Sequence, residues 1–203
     1  ADDIVINTYI PTVAEQIIKH SDLIFCLDFN ILKRIGDVAQ YVEQSSAEKI
    51  LVDHHLMPDT IFDITLSYPH ISSTSEIVFR LLLEMGEYDN ISPIIAECIY
   101  TGMMTDTGGF TYNSNEPEIF MIISLLIKKG VNRDYVYNNV SNNYNEQRFR
   151  LLGFTLSQRM KVYPESCASL IYLSKEDQKQ FTISKGDTEG FVNYPLSIKN
   201  IIF

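Results

Sequence analysis

The sequence predicts an α/β protein with a mostly parallel sheet flanked by helices, then a connecting helix and part of a smaller α/β unit. Two short apolar runs, residues 23–27 and 49–52, each stop at an aspartate, Asp28 and Asp53, as buried parallel strands do at a sheet edge. Helical patterns opened by proline or a hydroxyl residue alternate with those runs. A chain of 203 residues with 45% hydrophobic content is large enough for a substantial core.

Residues 3–6 read as a short strand and 11–20 as a helix with Pro11 in its first turn. The strand over 23–27 follows, then a helix over 35–43 and the strand over 49–52. Strand carboxyl ends of a parallel sheet share one edge, which makes Asp28 and Asp53 neighbours. Ser73 or Thr74 caps a helix through Met85, with Ile77, Val78, Leu81 and Leu82 as its apolar stripe and Gly86 closing it. Ser92-Pro93 opens a helix through Met104, with Ile94, Ile95, Cys98 and Ile99 facing the core, and this helix delivers Asp106. A helix over 117–129 stops at Gly130. Residues 142–160 form the connecting helix: a polar start, then Leu151, Leu152, Phe154 and Leu156 on a packing side. Residues 167–173 form a strand, Ser174 caps a short helix with Glu176 and Asp177 in its first turn, and Ile201-Ile202-Phe203 begins another strand. The chain thus divides into 1–141, 142–160 and 161–203.

Sixteen Lys and Arg against twenty-six Asp and Glu leave a formal charge of −10 and a pI near 4.8, so no basic track for long or duplex nucleic acid is available. A phosphate-bearing ligand must be held locally. Cys26, Cys98 and Cys167 sit in apolar surroundings and read as reduced core residues. No run is long enough for a membrane span and the acidic start is unlike a signal peptide, so the expected location is the cytoplasm and no membrane partner is expected.

The chemistry concentrates in two segments. Asp53-His54-His55, at a strand end, combines a carboxylate and two imidazoles in a ready metal and phosphate site. In Gly102-Met103-Met104-Thr105-Asp106-Thr107-Gly108-Gly109-Phe110, an acid at a helix end precedes two glycines that allow a sharp turn near a ligand. The aspartic protease alternative, which also uses Asp-Thr-Gly, needs paired carboxylates from a β-rich framework. Ser73 and Thr74 at a helix start are candidate phosphate contacts, with capping as the commoner use. Arg148, Arg150 and Arg159 more often pair with nearby acids than reach a substrate, and His70 reads as a loop residue. Tyr135, Tyr137 and Tyr144 read as helix packing rather than base stacking.

With these residues the chain resembles the DHH phosphoesterase superfamily. Asp28 in Leu27-Asp28-Phe29-Asn30 matches the second motif, Val52-Asp53-His54-His55 the third, and residues 102–110 the fourth. The branch it resembles contains bacterial oligoribonucleases that also dephosphorylate 3'-phosphoadenosine 5'-phosphate, often labelled exopolyphosphatase-related. Residues 185–193 resemble the opening of the DHH-associated substrate domain. The resemblance implies hydrolysis of a phosphate ester of a short oligonucleotide or small nucleotide with two manganese ions, magnesium being the alternative ion. Asp28 would bridge both metals, and His54 and Asp106 would bind the second. His55 would contact the scissile phosphate or assist proton transfer, with Asp53 orienting an imidazole. Cyclic dinucleotides and polyphosphate are substrates of sister branches. A non-catalytic nucleotide-binding relic is the alternative of another class.

The resemblance also implies a first motif, a histidine followed by two aspartates, and a closing glycine-rich, histidine-containing motif, neither of which occurs in the 203 residues. Upstream of Asp28 stand only Asp2, Asp3, Glu15, His20 and Asp22. The expectation is therefore a piece of a longer enzyme, truncated at both ends and weakly active or inactive alone. A homodimer is a plausible assembly, although no sequence feature marks an interface.

Overall fold

The computed structural model describes residues 4–184 and 186–203. By its internal contacts the chain divides into two compact units, Ala1–Val136 and Tyr137–Phe203.

In the first unit, strands β1 (Leu23–Leu27), β2 (Glu48–Asp53) and β3 (Ile64–Ser67) form a parallel sheet in the order β1-β2-β3. Leu27 lies opposite Val52 and Asp53 opposite Ser67. One step beyond β1, the Asp28 N–H donates to the Val52 carbonyl at 3.1 Å. That bond sets Asp28 beside the strand that ends in Asp53.

One sheet face is covered by α1 (Pro11–Lys19), a 3-10 segment (Leu32–Val38) and α2 (Ala39–Gln44). Cys26, Leu32, Val42, Leu51 and Phe62 form the buried centre there, with Ile18, Ile24 and Ile35 packed around it. The single helix expected over 35–43 is split, because Gly36 adopts φ 59° and ψ −135°. Lys49 is buried, and its ammonium donates to the carbonyls of Ser45 (2.8 Å) and Ala47 (3.0 Å), just past the end of α2, where a cation complements the helix dipole. On the other face α3 (Thr74–Glu84) packs on β2, backed by α4 (Pro93–Asp106) and α5 (Pro117–Lys128), and α6 (Arg133–Ser141) follows α5 in the chain.

Several expectations are corrected. Residues 4–6 form no strand; Tyr9 and Ile10 N–H instead close a turn on the Ile6 carbonyl, and a short run without a partner cannot hold a ladder. Asp3 lies outside the described residues. β3 was not foreseen, since four residues are too few to show a period. β1 is buried on one face only: Phe25 is 52% exposed, because the helices on that side pack on β2. On α4 the buried residues are Ala96, Ile99, Tyr100, Met103 and Met104, whereas Ile94, Ile95 and Cys98 are exposed. Apolar side chains occupy nearly every face of this helix, so period alone could not set its phase. Cys167 is half-buried, leaving Cys26 as the core thiol; burial pushes its pKa up, with the Lys49 charge opposing.

Gly102 explains how α3 and α4 approach. A Cβ there would lie 2.0 Å from Ser75 Oγ and 2.9 Å from Ser75 Cβ. Only a hydrogen fits.

In the second unit, α7 (Glu146–Phe154) runs through a π-helical turn (Thr155–Arg159) into β4 (Met160–Tyr163). Met160 therefore begins a strand rather than ending the connecting helix. β4 pairs antiparallel with β5 (Ala168–Ile171), and α8 (Lys175–Gln180) carries a capping box between Ser174 and Asp177. Ile202 N–H donates to the Cys167 carbonyl and Ser169 N–H to the Phe203 carbonyl, each at 2.8 Å, so the terminal apolar residues lie along β5. Of residues 185–193, Lys185 lies outside the described residues. All three arginines have structural partners. Arg148 donates to the carbonyls of Asp187 and Glu189 and sits 4.1 Å from the Tyr144 ring centroid. Arg150 pairs with Glu146, and Arg159 grips the buried Asp177 through two bonds of 2.8 Å. Tyr135, Tyr137 and Tyr144 are about half exposed, and Tyr144 packs on Arg148 and Phe149 of the connecting helix.

Two predictions follow from this packing. Gly102→Ala, which in an open helix would stabilise by roughly 0.5–1 kcal/mol, is expected to destabilise by about 1–3 kcal/mol in chemical denaturation, with partial recovery in Gly102→Ala/Ser75→Gly. The Arg159 guanidinium, followed by the Ser174 amide, holds the Asp177 carboxyl well below the ordinary carboxylate range. Its contribution to stability is complete above the unfolded pKa of about 4 and is lost as pH falls toward the depressed folded value. Asp177→Asn should therefore unfold earlier than wild type at neutral pH, and the gap between their denaturation midpoints should close in strong acid.

Candidate metal centre

The carboxyl ends of β1 and β2 and the ends of two helices bring the predicted residues together. Asp28 follows β1 with φ 65°, a left-handed conformation that aspartate tolerates better than most residues. Thr74, the first residue of α3, donates its hydroxyl to Asp28 Oδ1 at 2.9 Å. The loop after β2 is tied to the loop after β1, since the Asn30 amide donates to the Leu56 carbonyl (2.6 Å) and Asp59 N–H to the Asn30 carbonyl (2.8 Å).

His54 Nδ1 lies 3.3 Å from the Ile71 carbonyl. A carbonyl only accepts, so the contact places the hydrogen on Nδ1 and leaves the Nε2 lone pair free. That nitrogen lies 3.8 Å from Asp28 Oδ1 and 3.6 Å from Asp106 Oδ2. His55 Nδ1 is 2.7 Å from Asp53 Oδ1, and the His55 backbone N–H donates to Asp53 Oδ2 at 3.0 Å. Asp53 is 0% exposed, so its carboxylate faces His55 rather than solvent. One ligand atom from each of Asp28, His54 and His55 lies within 4.8 Å of the others.

This donor set fits a divalent cation. Bonds of about 2.1 Å place neighbouring donors of an octahedral ion about 3 Å apart, so small side-chain adjustments would close the observed spacings onto one ion. Mixed carboxylate and imidazole ligands suit a borderline metal. Asp106, the last residue of α4, carries the electrostatic cost. Burial raises its pKa above the ordinary carboxylate value, the charge of Asp28 raises it further, and the two imidazoles oppose the rise. Gly108 and Gly109, both at positive φ, turn the chain away behind it while the buried Thr107 hydroxyl accepts from Phe110 N–H.

A cavity of about 340 Å³ adjoins Asp28 and Asp106, lined also by Thr74, Ser75, Gly102 and Thr105. Ser73 is not presented to it; its hydroxyl is fully buried and caps α3 by accepting from Glu76 N–H at 3.1 Å. Sequence reasoning missed the Ile71 carbonyl and the Asn30 and Asp59 clamps. Backbone acceptors carry no residue signature, and the clamps join residues more than twenty-five positions apart in the chain.

Residues 4–103 match the family model described as the DHH family, N-terminal domain. The chain belongs to the DHH family. The crystal structure of an exopolyphosphatase-related protein from Bacteroides fragilis matches with a TM-score of 0.95 at 53% identity, over 99% of this chain and 59% of that one. An uncharacterized protein of Mycoplasma pneumoniae is 32% identical over 137 residues, 67% of this chain and 40% of its own length. The probable bifunctional oligoribonuclease and PAP phosphatase NrnA of Streptococcus mutans is 25% identical over 154 residues, 75% of this chain and 47% of its own. These likenesses put the DHH chain in the NrnA-like, exopolyphosphatase-related branch, and it spans between 40% and 59% of the length of these relatives. Among the described residues no helix is long and apolar enough to cross a membrane.

The raised pKa of Asp106 has a testable sign. A carboxyl whose folded pKa is raised opposes folding when ionised, and that penalty disappears as pH falls through the folded pKa. In metal-free protein Asp106→Asn is therefore expected to raise the thermal midpoint at neutral pH, with the advantage shrinking to nothing below the ordinary carboxylate range.

Proposed function

We propose that this site is the metal centre of a manganese-dependent phosphoesterase that hydrolyses phosphate esters of short oligonucleotides or of 3'-phosphoadenosine 5'-phosphate. The observation that carries the reading is the convergence of Asp28, His54 and Asp106 on one point, with His54 Nε2 3.8 and 3.6 Å from the two carboxylates and His55 beside it. Asp28, His54 and Asp106 would hold the cations, with Asp28 placed to be shared between two of them. When bound, the cations neutralise the phosphate and supply a water acidic enough to attack it.

The chain's own residues do the rest. Asp53 fixes His55 so that Nε2 is directed outward, where it contacts a phosphate oxygen or carries a proton. Thr74 holds Asp28 in its coordinating orientation. The apolar side of the adjoining cavity, Leu27, Val78 and Ile99, offers a surface for an uncharged part of the substrate. A net charge of −10 disfavours long strands, for which a basic track is the ordinary means of holding on, and favours a small substrate held at the centre itself. The names of the NrnA relative and the exopolyphosphatase-related neighbour support a phosphate substrate. The second unit is read as the start of the substrate domain.

The test is hydrolysis of a ribodinucleotide and of 3'-phosphoadenosine 5'-phosphate by the longest native form of the protein. Manganese should support turnover and a chelator should abolish it. His55→Ala should lower kcat by at least about 100-fold while manganese binding stays near normal. Retained turnover in His55→Ala would remove that residue from the mechanism. Nucleotide binding with no hydrolysis in any metal would replace the enzyme with a binding module.

A further inference from the structure

Behind the centre lies a buried carboxylate, paired with a partly exposed guanidinium, that the proposed reaction does not use. Glu76 is 3% exposed, yet both carboxylate oxygens are engaged. Oε1 accepts from Arg80 Nε at 2.9 Å and from a terminal guanidinium nitrogen at 2.6 Å. Oε2 accepts from the Ser72 hydroxyl at 2.5 Å and from the Ser72 N–H at 3.3 Å. A buried ion pair seldom stabilises a fold more than apolar residues of the same volume would. Its position has another consequence.

The Ser72 N–H and the Ile71 C=O belong to one peptide unit, which is planar and trans, so they point in opposite directions. Glu76 grips one end of this unit, and His54 Nδ1 meets the other at 3.3 Å. We propose that Glu76, clamped by Arg80, is a positioning residue that acts through the Ile71-Ser72 peptide to keep the hydrogen of His54 on Nδ1. This deepens the proposed function, resting on the assignment of His54 as a metal ligand.

The competing state is visible in the same geometry. Two carboxylate oxygens stand 3.8 and 3.6 Å from His54 Nε2. With the hydrogen on Nε2, a side-chain shift of about half an ångström would make either of them its acceptor, and no lone pair would face the centre. A neutral carbonyl must therefore outcompete two carboxylates for the imidazole hydrogen. An anionic acceptor on the far side of the peptide polarises it and strengthens the carbonyl as an acceptor, and it stops the peptide from rotating away. α3 thus orients two ligands from its first turn: Asp28 directly through Thr74, and His54 through Glu76.

The experiment is imidazole nitrogen NMR on metal-free, nitrogen-15-labelled protein at about pH 8.5, where an ordinary imidazole is neutral. Wild type is expected to show His54 as the Nδ1–H tautomer. Glu76→Gln should move it toward Nε2–H and weaken manganese binding by about 10- to 100-fold. A second variant, Glu76→Leu with Arg80→Met, removes both charges together and so avoids an unpaired buried charge, and it should show the same two changes with a thermal midpoint near wild type. A purely structural role for Glu76 predicts neither a tautomer change nor an affinity loss in that well-folded variant. His54 unchanged in the folded variants overturns the proposal. A tautomer shift in a protein whose wild type binds no manganese would uphold the positioning role and overturn the metal-centre reading, and manganese binding with an unmoved tautomer would do the reverse.

Discussion

The hydrogen bond from Asp28 N–H to the Val52 carbonyl is the contact on which the centre depends. It extends the β1-β2 ladder one residue past β1, and by doing so places the first candidate ligand, Asp28, beside the strand that ends in Asp53. A one-residue slip in parallel register would reverse the side to which Asp53, His54 and His55 point. Register in turn rests on the apolar centre, where Cys26 of β1 stands opposite Leu51 of β2 and both are buried under the helices of one face. The chemistry at the edge is thus fixed by packing in the middle of the sheet.

Each donor at the edge is then held by a second contact that leaves its functional atom free. Thr74 takes one lone pair of Asp28, Ile71 takes the Nδ1 hydrogen of His54, and Asp53 takes that of His55. Two of the three holders come from the turn that starts α3 or from the segment just before it. The position of α3 against α4 therefore matters as much as the strands, because α4 delivers Asp106 to the same point. Gly102 permits that approach, since any larger residue would collide with Ser75 in the first turn of α3. Second contacts of this kind ordinarily govern metal affinity as strongly as the ligands do.

The parts of this arrangement that were legible in the sequence are those that local chemistry dictates. β1 was read to the residue, and the starts of α3, α4 and α5 followed from Ser73, Pro93 and Pro117. The residues that converge, Asp28, His54, His55 and Asp106, were legible because each sits at the end of an element where side chains must leave the core. What was illegible depends on partners distant in sequence. β3 is a strand only because β2 offers it a ladder, and the residues at 4–6 are not, for want of one. The phase of α4 could not be read because its apolar residues point in every direction. The Ser72-Glu76-Arg80 cluster carries no signal of its own beside the helix cap, and its link to His54 runs through a backbone carbonyl that no residue type announces.

The two helices that meet at the centre present opposite ends to it. α3 begins at Thr74, whose hydroxyl donates to Asp28, so the positive dipole end of the helix lies toward that carboxylate. α4 terminates in Asp106, so that carboxylate sits at a negative dipole end, in addition to being partly buried and facing Asp28. One carboxylate is thus provided with a donor and a favourable dipole, and the other with neither. The imbalance explains why Asp106 is the group whose charge is opposed in the metal-free fold. It also gives that residue a specific part in selecting a ligand. A cation at this point would relieve the repulsion between Asp106 and Asp28, whereas a neutral molecule or an anion would leave it in place. Under the proposed function, the stability given up to hold Asp106 there is what a bound cation would return, as is usual where a fold keeps like charges together for function.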